Sequence, residues 1–308
     1  MDVFKIAATG VSVNYMPEYL AEKKGYFKEL GLDVINYTPN PWTEGLVDIN
    51  QEAADVVLGG IWVPIMYKNH VKDYLSVAKI ASKCPLYIVS KEPMTEEFHW
   101  SALENKRVLV TGGDGASHYL MVTGTANAGG ADTSKIRFIH DFSSSMLKEL
   151  FLGGFGDFIV VQPDTAHELI EGKKGYFFCE LASAGSNIPW SVYYGLPERI
   201  DARLDVFSAF VAGVQKGTTY LLAQGGEACR DIIAEKWPNM SVEEGIKTID
   251  LFIKKGMWTD SVAITKEELD RWQDYLIQGD VLDERLSYET LIDARPFENS
   301  KKREVQGR

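Results

Sequence analysis

Apolar runs of strand length alternate with helical stretches twice along the chain, and this alternation constrains the fold more than any other feature. In the first block the runs are residues 3–8, 32–36 and 54–58. The second block has runs at residues 107–110, 136–140, 158–161 and 176–181. Strands that alternate with helices form mostly parallel sheets with helices packed on them. The sequence therefore predicts an α/β fold with two such sheets.

Two extended runs, residues 84–89 and 188–193, join the two blocks. A block that the chain enters by one strand and leaves by another is an inserted domain, and two crossing strands make a natural hinge. A length of 308 residues also favours two domains over one. We therefore predict two lobes with a ligand cleft between them. Residues 1–88 and 193–308 form lobe I, and residues 89–192 form the inserted lobe II.

From about residue 201 the pattern becomes purely helical. An apolar stripe with helical spacing opens this tail: Leu204, Phe207, Val211, Val214 and Leu221. Ser241 and Thr265 each stand three residues before a glutamate, which is the spacing of a capping box, and Ser101 has the same spacing in the second block. A helical tail after two α/β blocks predicts helices that pack back on the first block.

Charge and cysteine content exclude several functions. The chain has 32 Lys and Arg residues against 44 Asp and Glu, and this net charge of -12 disfavours binding to nucleic acid or to anionic lipid. The three cysteines, Cys84, Cys179 and Cys229, lie far apart, and the five histidines show no metal-binding spacing. We therefore expect no metal site, no cofactor and no disulfide framework.

Hydropathy leaves two cellular locations open. No run approaches the ~18 apolar residues of a membrane span, and the first strand begins almost at the first residue, without a secretory leader. If Met1 is the native start, we expect a cytoplasmic protein. If a leader has been removed, we expect a periplasmic protein, or an extracellular one with a lipid anchor.

Four segments, in order along the chain, resemble one known family. Residues 15–34 read YMPEYLAEKKGYFKELGLDV, residues 53–60 read AADVVLGG, residues 108–117 read VLVTGGDGAS and residues 158–163 read FIVVQP. They resemble the SsuA/THI5-like (NMT1-like) family, whose opening segment has the pattern P-x-Y-x-A-x-x-x-G-[YF]-[FY]-x-x-x-G-L-[DE]-V. The resemblance covers roughly residues 3–225. The chain departs from the family at Gln162, where an acidic residue is usual, and at Asp114, inside a turn that is usually neutral.

The resemblance implies a type II periplasmic-binding-protein fold, in which two lobes joined by a two-strand hinge close on a ligand. Family members are the substrate-binding components of ABC importers for sulfonates, nitrate, pyrimidines and similar molecules. The resemblance therefore implies a monomer that binds a small organic solute, such as a sulfonate, a carboxylate or a pyrimidine, in the cleft between its lobes. It also implies an ABC transporter permease as the partner that receives the solute.

The alternative is an enzyme of the same fold that acts on a small aromatic or sulfur-containing acid. A desulfinase that resembles this family uses a cysteine in the first strand–helix loop, and here that loop, residues 10–16, has none. A pyrimidine synthase of the family carries a cysteine-rich motif, which this chain also lacks. Both differences favour binding without chemistry, and we name no catalytic residue.

The turn at residues 112–117 is a candidate anion site. It follows a strand and opens a helix, so its backbone N–H groups are available to an anion. We expect an acidic group over the amides of Ala116 and Ser117, with the Ser117 hydroxyl as a further donor. His118 stands where a dinucleotide fingerprint has its third glycine, which argues against that interpretation. Asp114 can cap the helix, or bind the ammonium group of a zwitterionic or cationic ligand.

Residues that follow the predicted strands complete the candidate site, because the carboxyl ends of strands line the ligand crevice in open α/β sheets. The residues expected there are Asn14, Tyr15, Trp42, Thr43, Ile61, Trp62, Thr111, His118 and Gln162, with Trp190 in the second crossing run. The tryptophans form an aromatic wall in this interpretation and core anchors in the alternative one. Thr43 can also cap a helix, and residues 143–145, all serines, can cap a helix or donate to a ligand oxygen.

Overall fold

The computed structural model describes residues 1–94, 97–112 and 116–306, and it contains two five-stranded sheets flanked by helices. The strands of the first sheet are β1 (Asp2–Ala8), β2 (Leu32–Tyr37), β3 (Val56–Gly60), β4 (Leu75–Ala81) and β10 (Ser191–Gly195). The strands of the second sheet are β5 (Tyr87–Ser90), β6 (Arg107–Leu109), β7 (Arg137–Ile139), β8 (Phe158–Val161) and β9 (Tyr176–Glu180). The predicted α/β fold with two sheets is confirmed.

Each sheet is mostly parallel and contains one reversed strand. The strand orders are β2-β1-β3-β10-β4 and β7-β6-β8-β5-β9. In the first sheet β1 runs parallel to β2 and β3, whereas β10 is antiparallel to β3 and β4. In the second sheet β6 runs parallel to β7 and β8, whereas β5 is antiparallel to β8 and β9. The reversed strands β5 and β10 are the strands that the chain forms directly after crossing from one sheet to the other.

The helices fall into three groups along the chain. The first block contains α1 (Met16–Lys23), α2 (Tyr26–Glu29), α3 (Glu44–Asn50) and α4 (Trp62–Tyr67). The second contains α5 (Ala116–Ala128), α6 (Ser144–Leu152), α7 (Pro163–Glu171) and α8 (Leu181–Ala184). The tail contains α9 (Pro197–Ala202), α10 (Leu204–Gln224), α11 (Arg230–Lys236), α12 (Val242–Lys254), α13 (Lys266–Gln278) and α14 (Arg295–Gln306). Within the described residues, none of these helices combines the length and the hydropathy of a membrane span.

Side-chain caps mark where two tail helices begin. The Thr265 hydroxyl accepts a hydrogen bond from the Glu268 backbone N–H at 3.2 Å, and the Glu268 carboxylate accepts one from the Thr265 backbone N–H at 3.2 Å. This pair is the complete capping box that the spacing predicts for α13. At the start of α12, Ser241 accepts a hydrogen bond from the Glu244 backbone N–H at 3.2 Å, which is the serine half of the predicted box.

Two of the predicted caps are wrong. Thr43 has φ of -62° and ψ of -20°, which is already helical backbone, whereas an N-cap side chain reaches back only from extended backbone. The box predicted at Ser101 is replaced by a short 3₁₀ helix, Trp100–Leu103, which is preceded by His99 as its N-cap. Glu104 then follows the last residue of this helix, where its carboxylate accepts a hydrogen bond from the backbone N–H of Asp132 at 3.0 Å.

The two segments that cross between the sheets lie side by side. The Ile188 backbone N–H donates to the Ser82 carbonyl at 2.9 Å, and the Trp190 N–H donates to the Ala81 carbonyl at 3.0 Å. Two adjacent crossing segments joined by hydrogen bonds are the arrangement on which hinge motions between two halves are built. The geometry is that of a two-strand hinge.

The helical tail packs on the first sheet and on a helix of the second block, which is more than its pattern predicts. On the first sheet, the Phe210 ring of α10 stacks on Phe4 of β1, with centroids 4.2 Å apart. In the second block, α13 lies against α5 so closely that a Cβ on Gly124 would sit 2.5 Å from the Tyr275 ring. The tail therefore joins the two halves of the molecule at a place separate from the crossing segments.

Candidate functional site

A cavity of about 210 Å³ lies at the carboxyl ends of strands from both sheets. The first sheet contributes the loop after β1 and the end of β3, and the second contributes the residues that follow β6 and β8. The crossing segments close one side with Pro85, Trp190 and Ser191. The cavity thus lies where the parallel topology of both sheets brings their loops together.

Most of the predicted site residues lie in the wall of this cavity. Those that line it are Asn14, Tyr15, Trp42, Trp62, Thr111, Ser117, His118, Gln162 and Trp190. Their role in binding a ligand stays a prediction. Asp114 lies outside the described residues, and Ala116 is described only as the first residue of α5.

The structure places two predicted site residues elsewhere. Ile61 is fully buried, because at the start of α4 its side chain turns into the hydrophobic core. Thr43 is exposed and does not line the cavity, because its helical backbone carries the side chain towards solvent. The sequence pattern marks both as following a strand, but it does not give the direction of the side chain.

Several lining residues were not predicted. They are Thr9, Gly10, Val11, Ser12, Gly60, Val63, Pro85 and Ser191. The loop residues after β1 follow a strand end, and the same criterion that selected Asn14 selects them too. Among residues 143–145 the expected cap is present, because the Ser143 hydroxyl accepts from the Met146 N–H at 3.4 Å at the start of α6. Ser144 lines the cavity, and its role as a donor to a ligand stays a prediction.

Asn14 connects three parts of the chain beneath the cavity. Its buried side-chain amide donates to the Ser191 hydroxyl at 3.1 Å, and its side-chain oxygen accepts a hydrogen bond from the Ser12 hydroxyl. Its backbone carbonyl accepts from the Trp258 indole N–H at 3.0 Å. Beside it, burial raises the pKa of the Tyr15 phenol, which therefore stays protonated and able to donate. The loop after β1, the crossing segment and the tail are thereby held in one arrangement.

Aromatic rings form two groups around the cavity. Trp42 and Trp62 meet edge to face with centroids 6.2 Å apart, and Trp190 lies parallel to the His118 imidazole at 5.9 Å. Burial lowers the pKa of His118 to about 4, so the imidazole is neutral at pH 7. These rings offer flat apolar surfaces that suit stacking against a small organic molecule.

Three helices of the second half begin at the cavity. Ser117 is the second residue of α5, Ser144 is the first of α6 and Gln162 is the N-cap of α7. The first turn of each helix has backbone N–H groups without intrahelical partners, and the helix dipole places positive potential there. The Thr111 and Ser144 hydroxyls lie 3.1 Å apart across this region. Together these groups supply neutral hydrogen-bond donors to one part of the cavity wall.

Charged side chains are absent from the part of the cavity wall that the structure describes. The polar groups there are hydroxyls, the Asn14 and Gln162 amides and the neutral His118 ring. The described residues also contain no cluster of His, Cys, Asp and Glu suited to a metal ion. The three cysteines are buried away from the cavity wall, and burial raises the pKa of the Cys229 thiol to about 12. The arrangement suits hydrogen bonding to a small anion.

Comparison with known proteins places the chain in one family. The model of the family described as NMT1/THI5 like matches residues 12–228, which is more than half of the chain. YtlA of Bacillus subtilis is 20% identical over 94% of this chain and 86% of its own length. The name of that protein gives binding as its inferred role.

Solved structures share the fold over nearly the whole chain. The periplasmic sulfonate-binding protein SsuA of Methylobacillus flagellatus superposes with a TM-score of 0.75 and 10% identity, covering 99% of this chain and 95% of its own. The periplasmic nitrate-binding protein NrtA of Synechocystis gives a TM-score of 0.70 and 12% identity, covering 98% of this chain and 89% of its own. At these identities the likeness establishes the periplasmic-binding-protein fold.

Proposed function

The chain belongs to the NMT1/THI5-like family, and on this premise we propose that it binds a small organic anion between two lobes and delivers it to an ABC importer. We take residues 1–88 and 193–308, which contain β1 to β4, as lobe I and residues 89–192, which contain β6 to β9, as lobe II, so that the two boundaries fall within the crossing strands β5 and β10. The partner that receives the solute is the permease of the importer. In this role the protein acts as a monomer on the outer side of the membrane.

One observation carries the proposal for an anion. The N-terminal turns of α5, α6 and α7 converge on a cavity whose described wall has no charged side chain. Backbone N–H groups and hydroxyls then supply the attraction, and no carboxylate among the described wall residues opposes a negative ligand. Gln162 supports the same conclusion, because it replaces the acidic residue that is usual in the family with a neutral amide.

The size of the cavity supports a small solute. Its volume of about 210 Å³ is below the roughly 300–1,000 Å³ of sites for drug-sized molecules. The relatives support the same class of ligand, because the names of two of them specify sulfonate and nitrate, which are both anions. Stacking on the indoles of Trp42, Trp62 and Trp190 favours an organic acid over an inorganic one.

Calorimetric titration with charged and neutral isosteres tests the proposal. We expect methanesulfonate or acetate to bind and methanesulfonamide and acetamide not to bind. Ser117→Ala should weaken binding of the acid about tenfold, the value of one hydrogen bond to a charged group. Ser134→Ala, an exposed serine outside the cavity wall, is the matched control and should leave the affinity unchanged.

Two results would contradict the proposal as a whole, and a third would contradict the place of α5 in it. Equal affinity for an acid and its amide would show that charge is not recognised. Conversion of the bound acid into a new product, followed by mass spectrometry during the titration, would instead favour the enzyme of the same fold. Unchanged affinity of Ser117→Ala would remove α5 from the anion site.

A further inference from the structure

Two contacts between the helical tail and the second block lie on opposite faces of the second sheet. In its strand order, the step from β6 to β7 runs in one direction and the step from β8 to β9 runs in the other. Right-handed connections therefore place α5 and α7 on opposite faces of this sheet. α5 packs on α13 of the tail, and α7 lies against α12 of the tail. A rotation that opens one of these contacts can leave the other in place.

The contact between α5 and α13 is closely packed. A Cβ on Gly124 would sit 2.5 Å from the Tyr275 ring, and a Cβ on Gly279 would sit 2.5 Å from the Leu120 side chain. Two glycines thus let these helices approach until their surfaces interlock, and separating them would lose dense packing. This contact is therefore the one that a rotation between the halves would preserve.

The contact between α7 and α12 is a single side-chain hydrogen bond in the described residues. His167 Nε2 and Thr248 Oγ1 lie 3.2 Å apart. The buried Thr248 hydroxyl already donates to the Glu244 carbonyl at 2.9 Å, so it accepts from His167, and Nε2 carries the hydrogen. The half-buried His167 ring also faces the Tyr87 ring of β5, with centroids 6.0 Å apart. One hydrogen bond thus spans the two halves on this side.

A groove with a volume of about 340 Å³ runs beside this hydrogen bond, between α7 and α12. Both helices line it with carboxylates, which belong to Asp164, Glu168, Glu171 and Glu244. Lys148 pairs with Glu168 and Lys247 pairs with Glu244, whereas the other two carboxylates have no ion pair among the described residues. Negative charges of the two halves therefore face each other across the groove, and their repulsion favours separation.

The charge of His167 changes this balance. Histidine is the side chain that ordinarily gains or loses its charge between about pH 5 and 8. A neutral His167 leaves the repulsion in place, whereas a protonated one puts a positive charge beside carboxylates of both halves. On the other side of the ring lie the Tyr87 phenol, which stays neutral because burial raises its pKa to about 12, and Glu180 of β9, which is opposite Tyr87 in the sheet.

We propose that His167 and Thr248 form a latch that holds the two lobes closed over the cavity, and that the latch tightens when His167 takes up a proton. α7 begins at the cavity wall with Gln162 as its N-cap, and shortly after α12 the Trp258 indole donates to the Asn14 carbonyl beneath the cavity. Both latched helices thus connect directly to the cavity, and a ligand enclosed there leaves only after the latch opens. The effect on release rests on the proposed function, whereas the latch itself needs no ligand.

Distances between two spin labels test the latch in the ligand-free protein. The labels are attached at Ala234→Cys on α11 and Lys174→Cys after α7, which are exposed positions on the two halves, while the three native cysteines are buried. Double electron–electron resonance measures the distance. When the pH falls from about 8 to about 5.5, we expect the ratio of the shorter to the longer distance population to rise about threefold.

Three variants separate the hydrogen bond from the charge. His167→Gln keeps an N–H donor but takes up no proton, so it should remove the response to pH. Thr248→Val removes the acceptor, so it should favour the longer distance at both pH values, and Thr248→Ser should restore the wild-type distances. The matched control is His70→Gln, an exposed histidine outside the groove, which should keep the full response.

Release of methanesulfonate or acetate, followed by stopped-flow fluorescence, extends the test to the ligand. We expect Thr248→Val to raise the dissociation rate about fivefold, the value of one hydrogen bond. A full pH response in His167→Gln, or equal distances in wild type and Thr248→Val, would overturn the latch. An unchanged dissociation rate in Thr248→Val would overturn its effect on release. If neither acid binds while the distances still respond to pH, the proposed function fails and the latch stands.

Discussion

Glu18 is a carboxyl group buried behind the candidate site. Only 1% of it is exposed, and it accepts hydrogen bonds from the Tyr193 hydroxyl at 2.6 Å and from the Asn36 side-chain amide. Burial nevertheless dominates and raises the pKa of Glu18 to about 7. A carboxyl whose pKa is raised in the folded protein is bound more tightly to its proton there than in the unfolded chain. Stability must then depend on pH in a defined direction.

Glu18→Gln should change the pH dependence of stability. The stabilisation from protonated Glu18 is fully present below about pH 4.5 and is lost as pH rises through about 7. We expect Glu18→Gln to gain free energy of unfolding relative to wild type across this window, by up to about 3 kcal/mol at pH 8. His118, whose pKa burial lowers to about 4, contributes with the opposite sign in both proteins and cancels in the difference.

Urea denaturation at several pH values between 5 and 8 measures this difference. Glu44→Gln, an exposed carboxyl on α3, is the control and should follow wild type. Parallel curves for wild type and Glu18→Gln would show that the carboxyl costs nothing in the folded state.

At the scale of elements, α13 is tied to both halves of the molecule. A buried ion pair between Lys79 of β4 and Glu268, with atoms 2.7 Å apart, anchors its first turn to the first sheet. Arg271 donates to the Asn187 carbonyl of the second crossing segment at 2.6 Å. Tyr275 covers Gly124 of α5. A helix with contacts to the first sheet, to α5 in the second half and to a crossing segment limits the ways in which the halves can move.

Removing one charge of the buried pair should be costly. Glu268→Gln keeps an acceptor for the Thr265 cap but leaves the Lys79 ammonium without a counter-charge, although burial already lowers the pKa of Lys79. We expect a loss of about 3 kcal/mol in the free energy of unfolding. The double variant with Lys79→Met should recover most of it, since the unpaired charge is then gone.

The exposed pair on the same helix provides the comparison. Lys266→Met removes the exposed partner of Asp270. Because the lysine side chain is 68% exposed and Asp270 keeps Arg285 at 3.4 Å, we expect a change below about 0.5 kcal/mol. Denaturant unfolding of the three variants and the wild type measures all of these values. A double variant as unstable as Glu268→Gln alone would mean that the packing of α13, and not the charge, is affected.

At the scale of the whole molecule, two hydrogen-bonded crossing segments and one shared helix connect the sheets around the cavity. In the proposed function, closure by rotation about the crossing segments would bring the second-sheet donors onto a ligand held by the first-sheet loops. Ligand binding should therefore make the molecule more compact. We expect the radius of gyration from small-angle X-ray scattering to fall when a saturating acid is added.

The matched sample is Ser117→Ala at an acid concentration that leaves it mostly unbound. It should keep the radius of the free protein, which separates closure from a general effect of the salt. A constant radius in wild type, with binding confirmed by calorimetry, would mean that the cavity is occupied without lobe rotation. Fluorescence of the indoles at Trp42, Trp62 and Trp190 offers a second readout of the same step.

Local patterns in the sequence determined the elements and most of the candidate site. Strand and helix periodicity records which side of each element is apolar, and the Thr265 capping box is a contact between residues three apart, so both can be read without a structure. Strand ends such as Asn14 and Gln162 were also predictable, because parallel topology alone places the carboxyl ends of strands at one edge. The direction in which a side chain points after a strand end was not predictable. Ile61 shows this, because it follows a strand but lies in the core.

Tertiary structure alone decided the features that depend on distant residues meeting. Lys79 and Glu268 are 189 positions apart, and Tyr193 and Glu18 are 175 apart. No periodicity links such pairs, because local patterns record contacts within a few residues while packing selects partners by shape and burial. The raised pKa of Glu18 and the contacts of α13 with both β4 and α5 arise in this way. The chain thus encodes its elements locally, and the chemistry around its cavity only through the assembled fold.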